Sequence, residues 1–386
     1  MSSDISILHA ITKMAVGGSQ MNTLISCREM LSRGYRSGIV TGPDNPEEGM
    51  LLNLAREWGI PVHLAPHLRR SISPFCDFLA GLEVRRTLLR EEYTILHTHS
   101  AKVRVLGRLF ANHNTGAKIV QTAHGWPFYS SMSPLRRKVY IALEKLGFGL
   151  ADATVVVTFR DRDKAVAAGI GKPGDFRVIR SGVEFGPFLE QRGNSTSSRE
   201  MLGIDPDRPV VGSVMRICNQ KAPDHFVSTA ARVLQQKPNT LFLVVGDGPH
   251  RLKMESMIAS HGLEDGFLLL GSRTDVHRIL PAMDVFLLTS RHEGLPRALL
   301  EALAVGVPAV ATDVGGVTEL LDGERNGLIY EYGDIEGLAG GAIDLLENPA
   351  RGRALLSNVD RDLEAFSARR MVDDLQALYN ELGATG

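Results

Sequence analysis

Cysteine is scarce in this 386-residue chain: Cys27, Cys76 and Cys218 are far apart and odd in number. That excludes a disulfide framework, offers no zinc-ligand spacing and fits a reducing compartment. Long apolar runs are missing as well, since no stretch approaches the roughly 18 residues needed to cross a bilayer. The start, MSSDISILHAITKM, has no basic region ahead of a cleavable apolar core and reads as a short strand. Nor does G-x-G-x-x-G follow that strand, which counts against a nicotinamide or flavin dinucleotide site of the usual kind. Strong overall charge is absent too, at a net −1.

That near-neutral total hides an uneven distribution. Residues 1–185 carry 24 Lys+Arg against 16 Asp+Glu, while the remainder carries 19 against 28. Basic residues gather in HLRRSISPFCDFLAGLEVRRTLLR (67–90) and SPLRRKVYIALEKLGFGL (133–150). Two readings stand side by side: solvated helix faces, or a half that meets an anionic membrane surface. No nucleic-acid partner is expected.

With 44% hydrophobic and 23% charged residues, the composition is that of a soluble globular protein, and the length suggests two domains. Short apolar runs alternate with longer amphipathic stretches, the mark of βαβ units and parallel sheets. In the first half the runs are 5–10, 36–42, 94–99, 118–123, 153–158 and 176–179; in the second, 209–215, 240–246, 267–270, 284–290 and 307–312. The fold class is therefore α/β, two doubly wound parallel sheets in series. Apolar periodicity lapses near 180–208, where Gly, Ser and Pro accumulate. That places the domains at 1–183 and 184–366. The last stretch, about 367–386, reads as an amphipathic helix whose sequence does not say where it packs; a return onto the first domain is one expectation.

Open parallel sheets bind ligands beyond the carboxyl ends of their strands, so the loops there hold the chemistry. After the first strand, Gly17 and Gly18 introduce a helix whose free N–H groups suit an anion, or form a tight turn. Arg216 and Lys221 stand in the loop after the first strand of the second half, two permanent cations suited to a diphosphate, or a solvated loop. VVGDGPH (244–250) places glycines at the next strand end, either for close approach to a ligand or for a turn. In SRHEGLPRALLEALAVG (290–306), Glu293 falls in a loop and Glu301 on the following helix, with Pro296 in its first turn. Both carboxylates can accept from vicinal hydroxyls; alternatively Glu301 is a surface residue paired with Arg297 at i,i+4. His97 and His99 tempt a metal assignment, but side chains expected to leave their strand by opposite faces disfavour shared ligation.

Taken in order, these segments resemble the retaining nucleotide-sugar glycosyltransferases of family 4. The likeness includes Gly17–Gly18, HTHSAKVRVLGRLFA (97–111), TAHGWPF (122–128), Arg216 with Lys221, GDGP (246–249), GSRTDV (271–276), SRHEGLPRALLEALAVGVPAVATDVGGVTELL (290–321) and NGLIY (326–330). The resemblance implies the GT-B architecture of two facing Rossmann-like domains, the first for the acceptor and the second for the donor. It further implies that Arg216 and Lys221 hold the donor diphosphate, helped by the amides of Gly17 and Gly18. Glu301 would take the ribose hydroxyls, and Glu293 the hydroxyls of the transferred sugar, with the amides of Gly294 and Leu295 nearby. Gly271, Ser272 and Arg273 would lie against the base, and His124 would face the reacting sugar. Anomeric configuration would be retained by front-face attack, with no carboxylate nucleophile and neither metal nor other cofactor.

The expected donor is a nucleoside diphosphate sugar, UDP by family frequency, carrying a hexose-type sugar. The acceptor would be a glycan or a lipid-linked glycan of surface-polysaccharide assembly. The location would be cytoplasmic, peripheral on the inner face of the plasma membrane where anionic lipid is met. Two alternatives stay open: a GT-B sugar-nucleotide epimerase and a non-catalytic nucleotide-sugar binding subunit. Two departures from the family stand next to the cations: Met215 and Ala222 replace its usual glycines.

Overall fold

A computed structural model describes residues 5–15, 17–43, 50–111, 115–128 and 132–384. The chain divides into two compact units, one running to Gly182 and resuming at Ala368, the other spanning Val183–Ser367.

In the first unit the strands are β1 (Ser6–Ile11), β2 (Arg36–Thr41), β3 (Val62–Leu64), β4 (Ile95–Thr98), β5 (Lys118–Ala123), β6 (Ala153–Val156) and β7 (Phe176–Val178). They form one parallel sheet in the order β3-β2-β1-β4-β5-β6-β7. Order reverses between β1 and β4, where a doubly wound sheet opens its binding crevice. Successive strand residues serve opposite cores: Ile7, Ile95 and Val120 pack with one helix layer, Leu8, Leu96 and Ile119 with the other. Such burial on both faces is why these strands read as continuous apolar runs.

The helix Ala368–Ala384 belongs to this unit. Met371, Val372, Leu375, Leu378 and Tyr379 bury against Ile7 and Ile25. Arg33 pairs with Asp373 at 2.7 Å, and the Tyr35 hydroxyl donates to Asn380 Oδ1 at 2.9 Å. On the opposite layer, the helices Pro74–Arg90 and Pro134–Phe148 each pack on Ala101–Ala111.

The second unit repeats the plan with β8 (Val210–Val214), β9 (Leu241–Val245), β10 (Phe267–Leu269), β11 (Val285–Leu288), β12 (Ala309–Thr312) and β13 (Leu328–Tyr330), ordered β10-β9-β8-β11-β12-β13 and parallel throughout. Its reversal falls between β8 and β11, whose following loops carry the Arg216/Lys221 and Glu293 segments. All three cysteines are free, and burial drives the Cys27 thiol up to about 12. Among the described residues, no helix is long and apolar enough to cross a membrane.

Candidate functional site

After β8 the chain passes Met215 and Arg216, makes a short 3-10 turn at Asn219–Lys221, and enters the helix Pro223–Gln236. Ala222 joins turn to helix with φ +46°, in the left-handed region that favours glycine, and is fully buried. A methyl is tolerated there, whereas a larger residue would add both strain and bulk. Met215 turns its side chain into the core beside Ile217 and Phe226, away from the loop. Arg216 is exposed and has no ion-pair partner among the described residues. The run is braced from the next strand end, where Met215 N–H donates to Val245 and Ile217 N–H to Asp247, each at 2.9 Å. A Cβ on Gly246 would stand 2.0 Å from the Met215 carbonyl and one on Gly248 2.4 Å from that of Ile217, so GDGP needs its glycines for this backbone approach.

The loop after β11 closes on the same place. Lys221 Nζ lies 2.5 Å from Glu293 Oε1, an ion pair with side chains only 18% and 5% exposed. Ser290 Oγ donates to the same carboxylate oxygen at 2.5 Å. Thr289 Oγ1 donates to the Lys221 carbonyl at 3.1 Å, and Arg291 N–H to Gln220 at 2.8 Å. Arg291 also pairs with Asp224 at 2.5 Å. The glycine pair after β12 explains itself here: Gly316 N–H donates to the Gly294 carbonyl at 2.7 Å, and a Cβ on Gly315 would fall 1.8 Å from the Glu293 carbonyl. Gly315 therefore lets one loop press on the other, besides supplying φ +52°.

Glu301 sits on the helix Arg297–Ala304, which follows Pro296. Its carboxylate is 3.7 Å from Arg297, so the i,i+4 pair exists, but both side chains are largely covered. Burial raises the Glu301 carboxyl above the usual range, with Arg297 opposing that rise. A solvated surface pair would not behave so. Leu295 packs partly against the core. Gly271 has φ +68° and its carbonyl accepts from Gly246 N–H at 2.8 Å, while Ser272 and Arg273 are exposed and Arg273 pairs with Asp275 at 2.6 Å.

In the first unit, Gly17 precedes the helix Gly18–Ser32 in extended conformation, and no side chain caps that helix start. His124 follows β5, partly exposed. The expectation that His97 and His99 diverge fails. A period of two returns residues i and i+2 to one face, and the two rings stand 4.1 Å apart. His9, on β1 beside β4, joins them: its Nδ1 is 2.9 Å from His99 Nε2, and His99 Nδ1 is 3.4 Å from His124 Nε2. One ring nitrogen from each of His9, His97 and His99 fits within 4.8 Å, close enough for shared metal ligation. Both His97 nitrogens, however, already meet hydroxyls, Tyr379 at 2.5 Å and Thr122 at 2.7 Å. Burial holds all four imidazoles well below their ordinary range, His9 and His124 at about 3. His9 was not singled out from the sequence, although a histidine inside the apolar run ISILHA is the available signal.

Beside His124 lies a second buried polar group. Arg104 and Arg108 share Glu144, at 2.6 and 3.7 Å, with every side chain 5% exposed or less. Burial, then repulsion by Arg104, lowers Arg108 to about 10. Gly147 makes the room, because a Cβ there would overlap the Arg108 guanidinium.

Two doubly wound parallel sheets in series, one in each unit, are the elements of the GT-B fold. Residues 194–361 match the model of glycosyl transferases group 1, and residues 17–182 that of the glycosyl transferase 4-like domain. The 2-deoxystreptamine N-acetyl-D-glucosaminyltransferase of Streptomyces fradiae is 33% identical over 90% of this chain and 87% of its own length. A UDP-Gal:alpha-D-GlcNAc-diphosphoundecaprenol alpha-1,3-galactosyltransferase of Escherichia coli is 26% identical over 98% of both chains. Anabaena Alr3699/HepE, solved with UDP and glucose, superposes with a TM-score of 0.84 over 97% of this chain and 99% of its own, at 20% identity. This chain belongs to the GT-B glycosyltransferases and is an enzyme that transfers sugar, which sets aside the epimerase and binding-subunit readings.

Proposed function

We propose that the chain is a retaining, UDP-dependent hexosyltransferase whose acceptor is a lipid-linked glycan, and that its donor diphosphate is held by Arg216 and Lys221. The observation that carries this reading is the Lys221–Glu293 ion pair, which joins the loops after the two central strands of the second unit. Glu293 aims the ammonium, Ser290 steadies Glu293, and Arg216 supplies an uncommitted second charge. On donor binding Lys221 turns its remaining N–H donors to the phosphates while Glu293 accepts from the sugar hydroxyls. As the bond from anomeric carbon to phosphate oxygen breaks, negative charge grows on the departing diphosphate, where preorganised cations lower the barrier. The acceptor oxygen forms its bond to the same face of that carbon, and its proton passes to the departing phosphate oxygen. No carboxylate acts as nucleophile, and with two positive charges in place no step is assigned to a metal.

Glu301, kept partly covered, takes the ribose hydroxyls; Gly294 and Leu295 offer amides, and Gly271, Ser272 and Arg273 border the base. In the first unit Gly17 and Gly18 offer amides, and His124 faces the sugar. UDP is preferred because Alr3699/HepE was solved with UDP and the E. coli relative is named for a UDP-Gal donor. That relative's diphosphoundecaprenol acceptor supports a lipid-linked substrate.

The outer helices of the first unit support a peripheral position at an anionic membrane. On Pro134–Phe148, Leu135, Val139, Leu143 and Leu146 are exposed and recur at spacings that make one stripe, while Glu144 and Gly147 are buried on the other side. Arg136 borders the stripe on one side, Lys138 and Lys145 on the other, as in helices that lie in a lipid interface. Pro74–Arg90 repeats the theme with Phe75, Phe78, Leu82 and Leu89 exposed beside Arg85 and Arg86.

Thermal shift with UDP, GDP and ADP, followed by UDP release from UDP-hexoses with and without a polyprenyl-diphosphate sugar in vesicles, tests the reading. A shift with UDP and acceptor-stimulated release are expected. Stabilisation by GDP or ADP alone, or release indifferent to every glycan acceptor, overturns it.

A further inference from the structure

Three imidazoles of the first unit form a directional chain, running from the buried interior to the partly exposed His124. His9 Nδ1 meets His99 Nε2 at 2.9 Å, and His99 Nδ1 meets His124 Nε2 at 3.4 Å. His9 is fully buried and His99 nearly so. Burial keeps all three rings uncharged at neutral pH. A neutral imidazole has one N–H and one bare nitrogen, so a ring that donates through one nitrogen must accept through the other. The two bonds therefore run in the same sense: every proton points toward His124, or every proton points back toward His9.

The far end decides between them. His9 Nε2 is buried and has no hydrogen-bond partner among the described residues. If the protons pointed back, that nitrogen would be an N–H sealed from any acceptor, the rarer kind of orphan in folded proteins. Pointing forward leaves it a bare lone pair. His97 takes no part in the chain, since Tyr379 and Thr122 occupy both its nitrogens; its ring lies 4.1 Å from that of His99 and packs it in place.

We propose that His9 and His99 are positioning residues that fix the tautomer of His124, so that its outward Nδ1 is an N–H donor. His124 then serves the reaction by donating to an oxygen of the donor sugar or its phosphate, and does not take the acceptor's proton. This rests on the reading that His124 faces the reacting sugar.

Proton-detected NMR of the full chain with 15N-labelled histidine reads the tautomer directly. Protonated Nδ1 on His124 is expected; protonated Nε2 overturns the proposal. Two near-isosteric variants add a kinetic test. His9→Asn keeps an N–H where Nδ1 stood, while His9→Asp offers His99 only an acceptor and reverses the chain. His9→Asn is expected to retain most of the turnover and the His124 tautomer. His9→Asp is expected to lose at least about tenfold in kcat, with the KM for the sugar nucleotide little changed, because a wrong tautomer affects the reacting complex most. Equal losses in the two variants, or stoichiometric zinc with metal-shifted His99 resonances, overturn the proposal. Should His9→Asp fail to fold, the wild-type and His9→Asn spectra still decide. A forward tautomer in a protein that transfers no sugar would sink the functional reading and leave the chain of imidazoles standing.

Discussion

In the second unit, loops after β8 and β11 meet through charge, Lys221 against Glu293, close to an uncommitted Arg216. The first unit, built on the same kind of sheet, sets four uncharged imidazoles around the ends of β1, β4 and β5. Their surfaces differ as well. Of sixteen large apolar side chains exposed among the described residues, twelve lie in the first unit and four in the second. On the proposed reading, one architecture carries two kinds of recognition: fixed cations for a phosphate that must leave with its charge, and neutral donors and apolar helix faces for sugar hydroxyls and lipid. The fold supplies only the strand ends; loop and outer-helix residues decide the chemistry.

The sharpest break of that contrast comes from giving the first unit an unbalanced charge. Glu144→Gln strips two buried guanidiniums of their counter-charge and is expected to destabilise by about 3–5 kcal/mol, whereas Arg108→Met should be neutral or stabilising. Thermal and urea unfolding read both. Removing the second unit's charge should do the reverse, leaving the fold and losing chemistry. Lys221→Ala is expected to lower kcat about 10²–10³-fold, roughly 3–4 kcal/mol of lost charge stabilisation, with a lowered melting temperature but an intact fold, since the covered Glu293 carboxylate keeps only the Ser290 hydroxyl as a partner among the described residues. Wild-type turnover in that variant would remove Lys221 from the site.

Acidification should find the first unit before the second. Each buried imidazole binds its proton less readily folded than unfolded, and His9 and His124 fall to about 3. The unfolded chain therefore takes up protons first; stability is complete above about pH 6.5 and falls as pH drops toward 3. Each ring contributes up to about 1.4 kcal/mol per pH unit in that window. Melting curves from pH 7.5 to 5 check this, and His9→Asn should flatten the dependence. The smallest effect concerns the apolar stripe: Leu143→Glu should weaken binding to anionic vesicles about tenfold, near 1.4 kcal/mol, while soluble UDP-sugar hydrolysis stays constant.

Most strands are legible as apolar runs because parallel sheets bury both faces. The two that escape, β3 and β13, are three-residue edge strands; β7 and β10 are equally short edge strands and are legible, so length and edge position alone do not hide a strand, and in β3 the run VHL is broken by a histidine and leaves Leu64 exposed. Lys221 and Glu293 are visible singly, since strand-end loops can be located from the runs before them. Their contact is not, being a property of two loops 72 residues apart. The imidazole chain escapes for a similar reason: only the reversal in strand order brings His9 beside His97 and His99. The other half is plain alternation: His97 and His99, two residues apart, leave β4 by one face.

The hydrogen atom that stands for a side chain at position 315 has a practical consequence for anyone wishing to retune this catalyst. Library positions for altered donor choice would naturally include the whole 313–317 segment, yet any replacement of Gly315 must displace the Glu293 backbone before it can touch a sugar. Diversity there would be spent on inactive clones. If Ser272 and Arg273 border the base as proposed, these solvent-facing positions, free of such packing, are the better places to randomise.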